Sequence, residues 1–142
     1  MTDAIRFTDR RDAGHRLAEE LRPHRDDDTL VLAIPRGGVP VADAVARELG
    51  TGFGVLVARK LPLPDNPEAG FGAIAEDGST HLVEGAEEWV SAEDCARIMD
   101  EQRGVVDERI RVLRNGAPLP EIVGRTVIVI DDGIAMGSTM TA

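Results

Sequence analysis

Several things this chain lacks narrow what it can be. Its single cysteine, Cys95, excludes an internal disulfide, and no Cys or His spacing around it suits zinc. No apolar run approaches the ~20 residues of a membrane span, and the segment Met1 to Phe7 has no signal-peptide core. These absences predict a soluble, cytoplasmic protein with no membrane partner. There is no tyrosine and little other aromatic surface, which leaves few platforms for stacking a base. Positive charge is scarce as well. The formal net charge is −10, so a nucleic-acid-binding surface is not expected. Of sixteen basic residues only Lys60 is a lysine, and the rest are arginines. A salt-adapted host and Arg-favouring codons explain that bias equally well. An anionic substrate approaching so acidic a protein needs a local positive site. A lone lysine in an arginine-rich chain points to a place where a compact ammonium is wanted.

The 142 residues suffice for one domain with a real core. Thr8 to Leu21 has helical periodicity, with Ala13, Leu17 and Leu21 on one face and Thr8 or Asp9 as N-cap. Pro23 and the Asp26-Asp27-Asp28 run break it, and that run reads as a solvated loop. Thr29 to Ile34 is a short apolar strand. Pro35 to Gly38 is a sharp loop, and Val39 to Leu49 a helix with Pro40 in its first turn and Gly50 as its stop. Phe53 to Ala58 reads as a second buried strand, completing a βαβ unit and hence a parallel pair. Residues 59–80 are rich in proline and lack helical period. Within them Phe71 to Ala75 and Thr80 to Val83 suit a hairpin around Asp77-Gly78. Residues 61–83 are a candidate flexible lid. Ser91 caps a long helix whose expected apolar stripe is Ala96, Met99, Val105 or Val106, Ile110 and Leu113, with Asn115-Gly116 as its stop.

Two loops carry the chemistry. The run Thr126 to Ile130 is uninterrupted and β-branched, and it reads as a strand buried on both faces. Asp131 and Asp132 stand where it ends, followed by Gly133 to Thr139 with small residues and two hydroxyls. In open α/β sheets, ligands bind outside the carboxyl ends of the strands. Free backbone N–H groups entering a helix suit a phosphate monoester, and paired carboxylates suit vicinal hydroxyls. A ribose 5-phosphate has both features. The bland alternative is a buried strand ending in a solvated Asp pair and a turn. The second loop is Pro35-Arg36-Gly37-Gly38. Two consecutive glycines let the backbone come close to a ligand and adopt angles closed to other residues, and Arg36 offers a donor fork matched to phosphate. Taken alone it could be a tight turn.

The strand Val127 to Ile130, the pair Asp131-Asp132, Gly133-Ile134 and the loop Ala135-Met136-Gly137-Ser138-Thr139 together resemble the signature of type I phosphoribosyltransferases. These enzymes bind phosphoribosyl pyrophosphate (PRPP). The order of the Pro-Arg-Gly-Gly loop, Arg59-Lys60 and the proline-rich stretch extends the resemblance over residues 29–139. The likeness is greatest to a branch with Pro-Arg-Gly-Gly and Asp-Asp-Gly-Ile-Ala elements, whose substrates are generally unassigned. Met136 departs from the family's usual threonine and removes one hydroxyl.

The resemblance implies an α/β fold, an open, mainly parallel sheet flanked by helices, as a single domain over 1–142 with the C-terminal part of the family fold absent. It implies transfer of a 5-phosphoribosyl group to a nucleobase-like acceptor, with Mg²⁺ and pyrophosphate release. Asp131 and Asp132 would hold the ribose, and Ala135, Met136, Gly137, Ser138 and Thr139 the 5-phosphate. Arg36, Gly37, Gly38 and Lys60 would hold the pyrophosphate. Mg²⁺ would be bound through PRPP, with Asp131 or Asp132 reaching it at most through water. No catalytic residue is assigned. Some family members that use 6-oxopurines carry an acid at the position of Ala135, which weakens that acceptor. A PRPP-binding regulator without transferase activity is the alternative. Because the last strand is too apolar for a bare edge, its outer side is expected to be covered, by a second copy in a homodimer if these residues are all that exist. In a longer chain, a helix is expected to begin at about Ser138.

Overall fold

The computed structural model describes residues 5–133 and 138–141. The chain divides into two units. The first comprises 1–56 and 119–133, and the second 57–118 with the C-terminal residues.

The first unit begins with helix α1, Arg10–Leu21. Asp9 caps it by accepting the Asp12 N–H at 2.8 Å. Strand β1 is Leu30–Ala33 and helix α2 is Gly38–Leu49. α1 and α2 pack closely because Gly14 has no side chain. A Cβ there would lie 2.6 Å from the Ala44 Cβ and 2.7 Å from the Val41 carbonyl oxygen. Strand β2 is Gly52–Val55, and β6, the last strand in chain order, is Val127–Ile130. The sheet order is β2-β1-β6, all parallel, with Leu30 opposite both Gly52 and Val127. β1 is buried along its whole length. Its Val31 and Ala33 make a core cluster with Ala18, Val41, Ala42, Val45, Leu49 and Ile130.

The other two strands differ from expectation. β2 stops at Val55 and is partly exposed, with Phe53 at 41 % relative exposure. As a sheet edge it is flanked by β1 alone. β6 is half-buried with only Ile130 fully enclosed, because among the described residues it too has β1 as its sole strand neighbour. Thr126 falls outside the strand and its hydroxyl bonds Asp26. Asp26 also accepts from the Thr29 hydroxyl at 3.1 Å and the Asp28 N–H at 2.9 Å. The acidic run is an exposed loop, as expected, and within it Asp26 also ties together the starts of β1 and β6.

The second unit contains an antiparallel sheet that sequence reasoning saw only in part. Its strands are β3 (Ala58–Leu63), β4 (Asn66–Ala75) and β5 (Thr80–Leu82), in the order β3-β4-β5. The Asp77-Gly78 hairpin is present, with the Ser79 N–H on the Asp77 carboxylate at 2.8 Å and Gly78 at φ +91°. The β3–β4 hairpin was hidden by prolines, and its register shifts on either side of Pro62. Helix α3, Ala92–Arg114, starts at the Ser91 cap, which accepts the Asp94 N–H at 3.1 Å, and ends at Asn115 in the left-handed conformation. Its buried face is Ile98, Gln102 and Val106, flanked by Cys95, Met99 and Ile110. Ala96 and Leu113 lie outside that face. The polar Gln102 disguised the true stripe, and its Oε1 accepts the Arg59 Nε–H at 3.2 Å. Phe71 is fully enclosed with Val57, Leu61 and Ile74 and belongs to the core. Helix α4, Ser138–Thr141, is one turn lying against β3, β4 and β5, and it begins where a helix was expected. Among the described residues no helix is long and apolar enough to cross a membrane.

Candidate active site

The parallel register of β1 with β6 fixes where the two chemical loops emerge. Ala33 and Ile130 are partners at the carboxyl ends, and the Ile34 N–H extends the pairing to the Ile130 carbonyl at 2.8 Å. Residues 34–37 and 131–133 therefore leave the same sheet edge side by side. The helix α2 begins at once, with the Gly38 N–H on the Ile34 carbonyl at 3.0 Å. The Pro35–Arg36 peptide bond is cis.

The glycines are needed for space. Gly37 has ordinary right-handed angles, φ −60° and ψ −33°, and neither it nor Gly38 has positive φ. A Cβ on Gly37 would lie 2.1 Å from Oδ2 of Asp132. One on Gly38 would lie 2.6 Å from the Ile130 carbonyl oxygen and 3.1 Å from the Asp131 Cα. The expectation of unusual angles is thus corrected: these residues are bare so that the two loops can touch. The Asp132 carboxylate rests against the start of α2, where the positive end of the helix favours an anion.

The two carboxylates differ electrostatically. Arg10 Nη2 of α1 donates to Asp132 Oδ2 at 2.9 Å and holds that carboxyl below its usual range. Asp131 is pushed up, first by burial and then by its acidic neighbour, although its Oδ1 accepts the Asp132 N–H at 2.8 Å. Arg10 was missed by sequence reasoning. Helical periodicity assigned it to a charged face, and only the fold brings that face to the end of β6. Arg36 is exposed.

Comparisons with known proteins identify the family. Residues 8–142 match the phosphoribosyl transferase domain family. This chain belongs to the type I phosphoribosyltransferase family. It is 42 % identical over 146 residues to Rv0571c of Mycobacterium tuberculosis H37Rv, provisionally named a phosphoribosyl transferase, covering 96 % of this chain and 31 % of that protein. It also resembles the crystal structure of TT1426 from Thermus thermophilus, with a TM-score of 0.76 and 41 % identity over 97 % of this chain and 66 % of that one. A shorter likeness, 41 % identity over 59 residues, joins it to the transcriptional regulator GfcR of Halobacterium salinarum, covering 42 % of this chain and 28 % of the regulator. The chain spans about a third of the length of the M. tuberculosis relative and about two thirds of the solved one.

Within this phosphoribosyltransferase fold, Asp131, Asp132, Gly37 and Gly38 are brought together. Lys60 belongs to the second unit, on β3. Its Nζ donates to the Glu68 carbonyl at 2.8 Å, and its stem lies where a Gly70 Cβ would come within 2.6 Å of the Lys60 Cγ. Ala135, Met136 and Gly137, and the side chains of Ser138 and Thr139, lie outside the described residues.

Proposed function

We propose that this chain binds PRPP with Mg²⁺ and transfers its 5-phosphoribosyl group to a nucleobase-like acceptor, releasing pyrophosphate. The observation that carries the reading is the carboxylate pair Asp131-Asp132 set against the Gly37-Gly38 loop at adjacent parallel strand ends. Asp131 and Asp132 hold the ribose hydroxyls. Ala135, Met136, Gly137, Ser138 and Thr139 enclose the 5-phosphate. Arg36, the Gly37 and Gly38 amides and Lys60 take the pyrophosphate. For this to happen the Asp132 carboxylate turns from Gly37 toward the ribose with one oxygen staying on Arg10, and Lys60 exchanges its carbonyl partner for a phosphoryl oxygen.

Such a transfer passes through an oxocarbenium-like state and asks little covalent chemistry of the protein. Positioning and charge stabilisation carry the rate. The donors present suit Mg²⁺, since two adjacent hard carboxylates can reach the shell of an ion that keeps its water and binds substrate oxygens. When bound, the ion neutralises charge on the leaving pyrophosphate. We further propose that the protein acts in the cytoplasm as a homodimer.

Likeness to a transcriptional regulator favours a second reading, a PRPP-binding regulatory or non-catalytic protein. One assay separates the two: pyrophosphate release with PRPP and Mg²⁺ across a panel of nucleobases. Base-dependent release supports transfer. Bound PRPP with no release for any base supports the regulatory reading, and no PRPP binding removes both.

A further inference from the structure

Beside the carboxylate pair, within the first unit, lies a groove of about 740 Å³. Its walls are Phe7, Ala13, Leu17 and Val41, and it reaches Asp131 and Asp132. That volume falls in the range of small-molecule sites, which combine apolar walls with a few polar groups. Apolar surface there is left uncovered, with Phe7 at 51 % relative exposure and Ile5 at 73 %. From this geometry we infer that the groove is the acceptor subsite, and that it takes a neutral planar nitrogen heterocycle rather than an anionic one.

This rests on the proposed transferase reading. If Asp131 and Asp132 hold the ribose 2- and 3-hydroxyls, the acceptor must arrive one carbon further on, at C1. The groove adjoins those carboxylates. Its polar rim decides the charge of the occupant. Asp9, Glu19 and Glu20 line it as well as the Asp pair, against the guanidiniums of Arg10 and Arg16. Both arginines are already paired, Arg10 with Asp132 and Arg16 with Asp12 at 3.3 Å, and Arg16 also lies 5.7 Å from the centre of the Phe7 ring. A carboxylated base would meet net negative charge, with no free cation among the described lining residues to balance it. A neutral base meets acceptors for its N–H groups, donors for its ring nitrogens or oxo groups, and an aromatic wall.

The test is saturation-transfer NMR on the PRPP- and Mg²⁺-loaded chain, titrated with adenine, guanine, uracil, orotate and nicotinate. At least one neutral base should bind, and orotate and nicotinate roughly tenfold or more weakly, the scale of one charge mismatch. Ala13→Trp fills the groove and should abolish the neutral-base signal while PRPP affinity is retained. Phe7→Ala, at an exposed position that leaves the fold intact, should weaken base binding about three- to tenfold. Base affinities unchanged in both variants, preferred binding of orotate or nicotinate, or no base bound to a PRPP-loaded chain would each overturn the inference. If PRPP itself does not bind, it is the transferase reading that fails. The acceptor role of the groove, which rests on that reading, then fails with it.

Discussion

The two units use the same kinds of charged side chain to opposite ends. In the second unit the polar groups are consumed by the architecture. Glu76 is enclosed, with 8 % side-chain exposure. It accepts Arg114 Nη2 at 2.8 Å and the Val57 N–H at 2.7 Å, where the chain enters the antiparallel sheet. In the first unit the Arg10–Asp132 pair stands open, with side-chain exposures of 59 % and 38 %, at the end of a parallel strand. One carboxylate is spent on holding a sheet to a helix. The other has room to turn toward something else. The difference comes from topology, since parallel strands end together at one edge and leave their following loops free, whereas Glu76, just past β4, is closed in by the end of α3 and by Val57 just ahead of β3.

The sharpest way to test that contrast is to remove the enclosed partner. Glu76→Ala takes the carboxylate away from the Arg114 Nη groups and from the Val57 N–H, and should cost about 3–5 kcal/mol of stability in urea unfolding. Loss of under about 1 kcal/mol would mean that Glu76 is as replaceable as a surface residue.

In the first unit the effect should fall on ligand rather than fold. Asp131→Asn with Asp132→Asn should leave the unfolding midpoint nearly in place. By isothermal titration it should weaken PRPP at least ten- to a hundredfold, the scale of ~1.5–3 kcal/mol for one charge-assisted contact. Unchanged PRPP affinity would remove the ribose role.

Lys60 tests whether the second unit is purely architectural. Lys60→Ala should weaken PRPP by roughly ten- to a hundredfold and ribose 5-phosphate far less, because the ammonium is assigned to pyrophosphate. Equal losses for both ligands would return Lys60 to its hairpin partner, the Glu68 carbonyl.

The smallest change concerns Arg10. Arg10→Ala should alter stability by no more than about 1 kcal/mol, as for other exposed pairs. Its signature is in pH. Asp132 is depressed in the fold by Arg10, so its contribution is present above the ordinary carboxylate range and is lost as pH falls through its lowered value. Asp131 is raised by burial, so the fold binds its proton more tightly and its ionisation costs stability as pH rises past the ordinary value. On acidification PRPP binding should weaken first through Asp131, above the ordinary carboxylate range. Arg10→Ala should shift upward the step belonging to Asp132. Titrating the two carboxyl carbons by NMR distinguishes the steps, and a single shared step unaffected by Arg10→Ala would contradict the assignment.

What the sequence disclosed follows the range of each interaction. Caps and turns are local, so the Ser91 cap, the Asn115 stop and the Asp77-Gly78 hairpin were readable. The order β1, α2, β2 was readable from apolar runs and glycines. Burial was not, because β2 and β6 look like central strands in composition and, among the described residues, become edges through pairing order. Prolines hid β3 and the first half of β4, where a register shift accommodates Pro62. At the site, the Asp pair and the Gly-Gly loop were legible as motifs. Their mutual contact, the partnership of Arg10 and the groove beside them depend on residues distant in the chain, and no local spacing encodes that.

The bare contact between Gly37 and Asp132 also restricts how this sequence can change over time. Position 37 cannot acquire a side chain while position 132 keeps its carboxylate in place, because the first new atom would land on an oxygen. Position 132 can meet that by shrinking or, since its carboxylate is the exposed end of a flexible side chain, by swinging away. A residue other than glycine at position 37 would thus mark a descendant in which the side chain at 132 no longer rests against the start of α2.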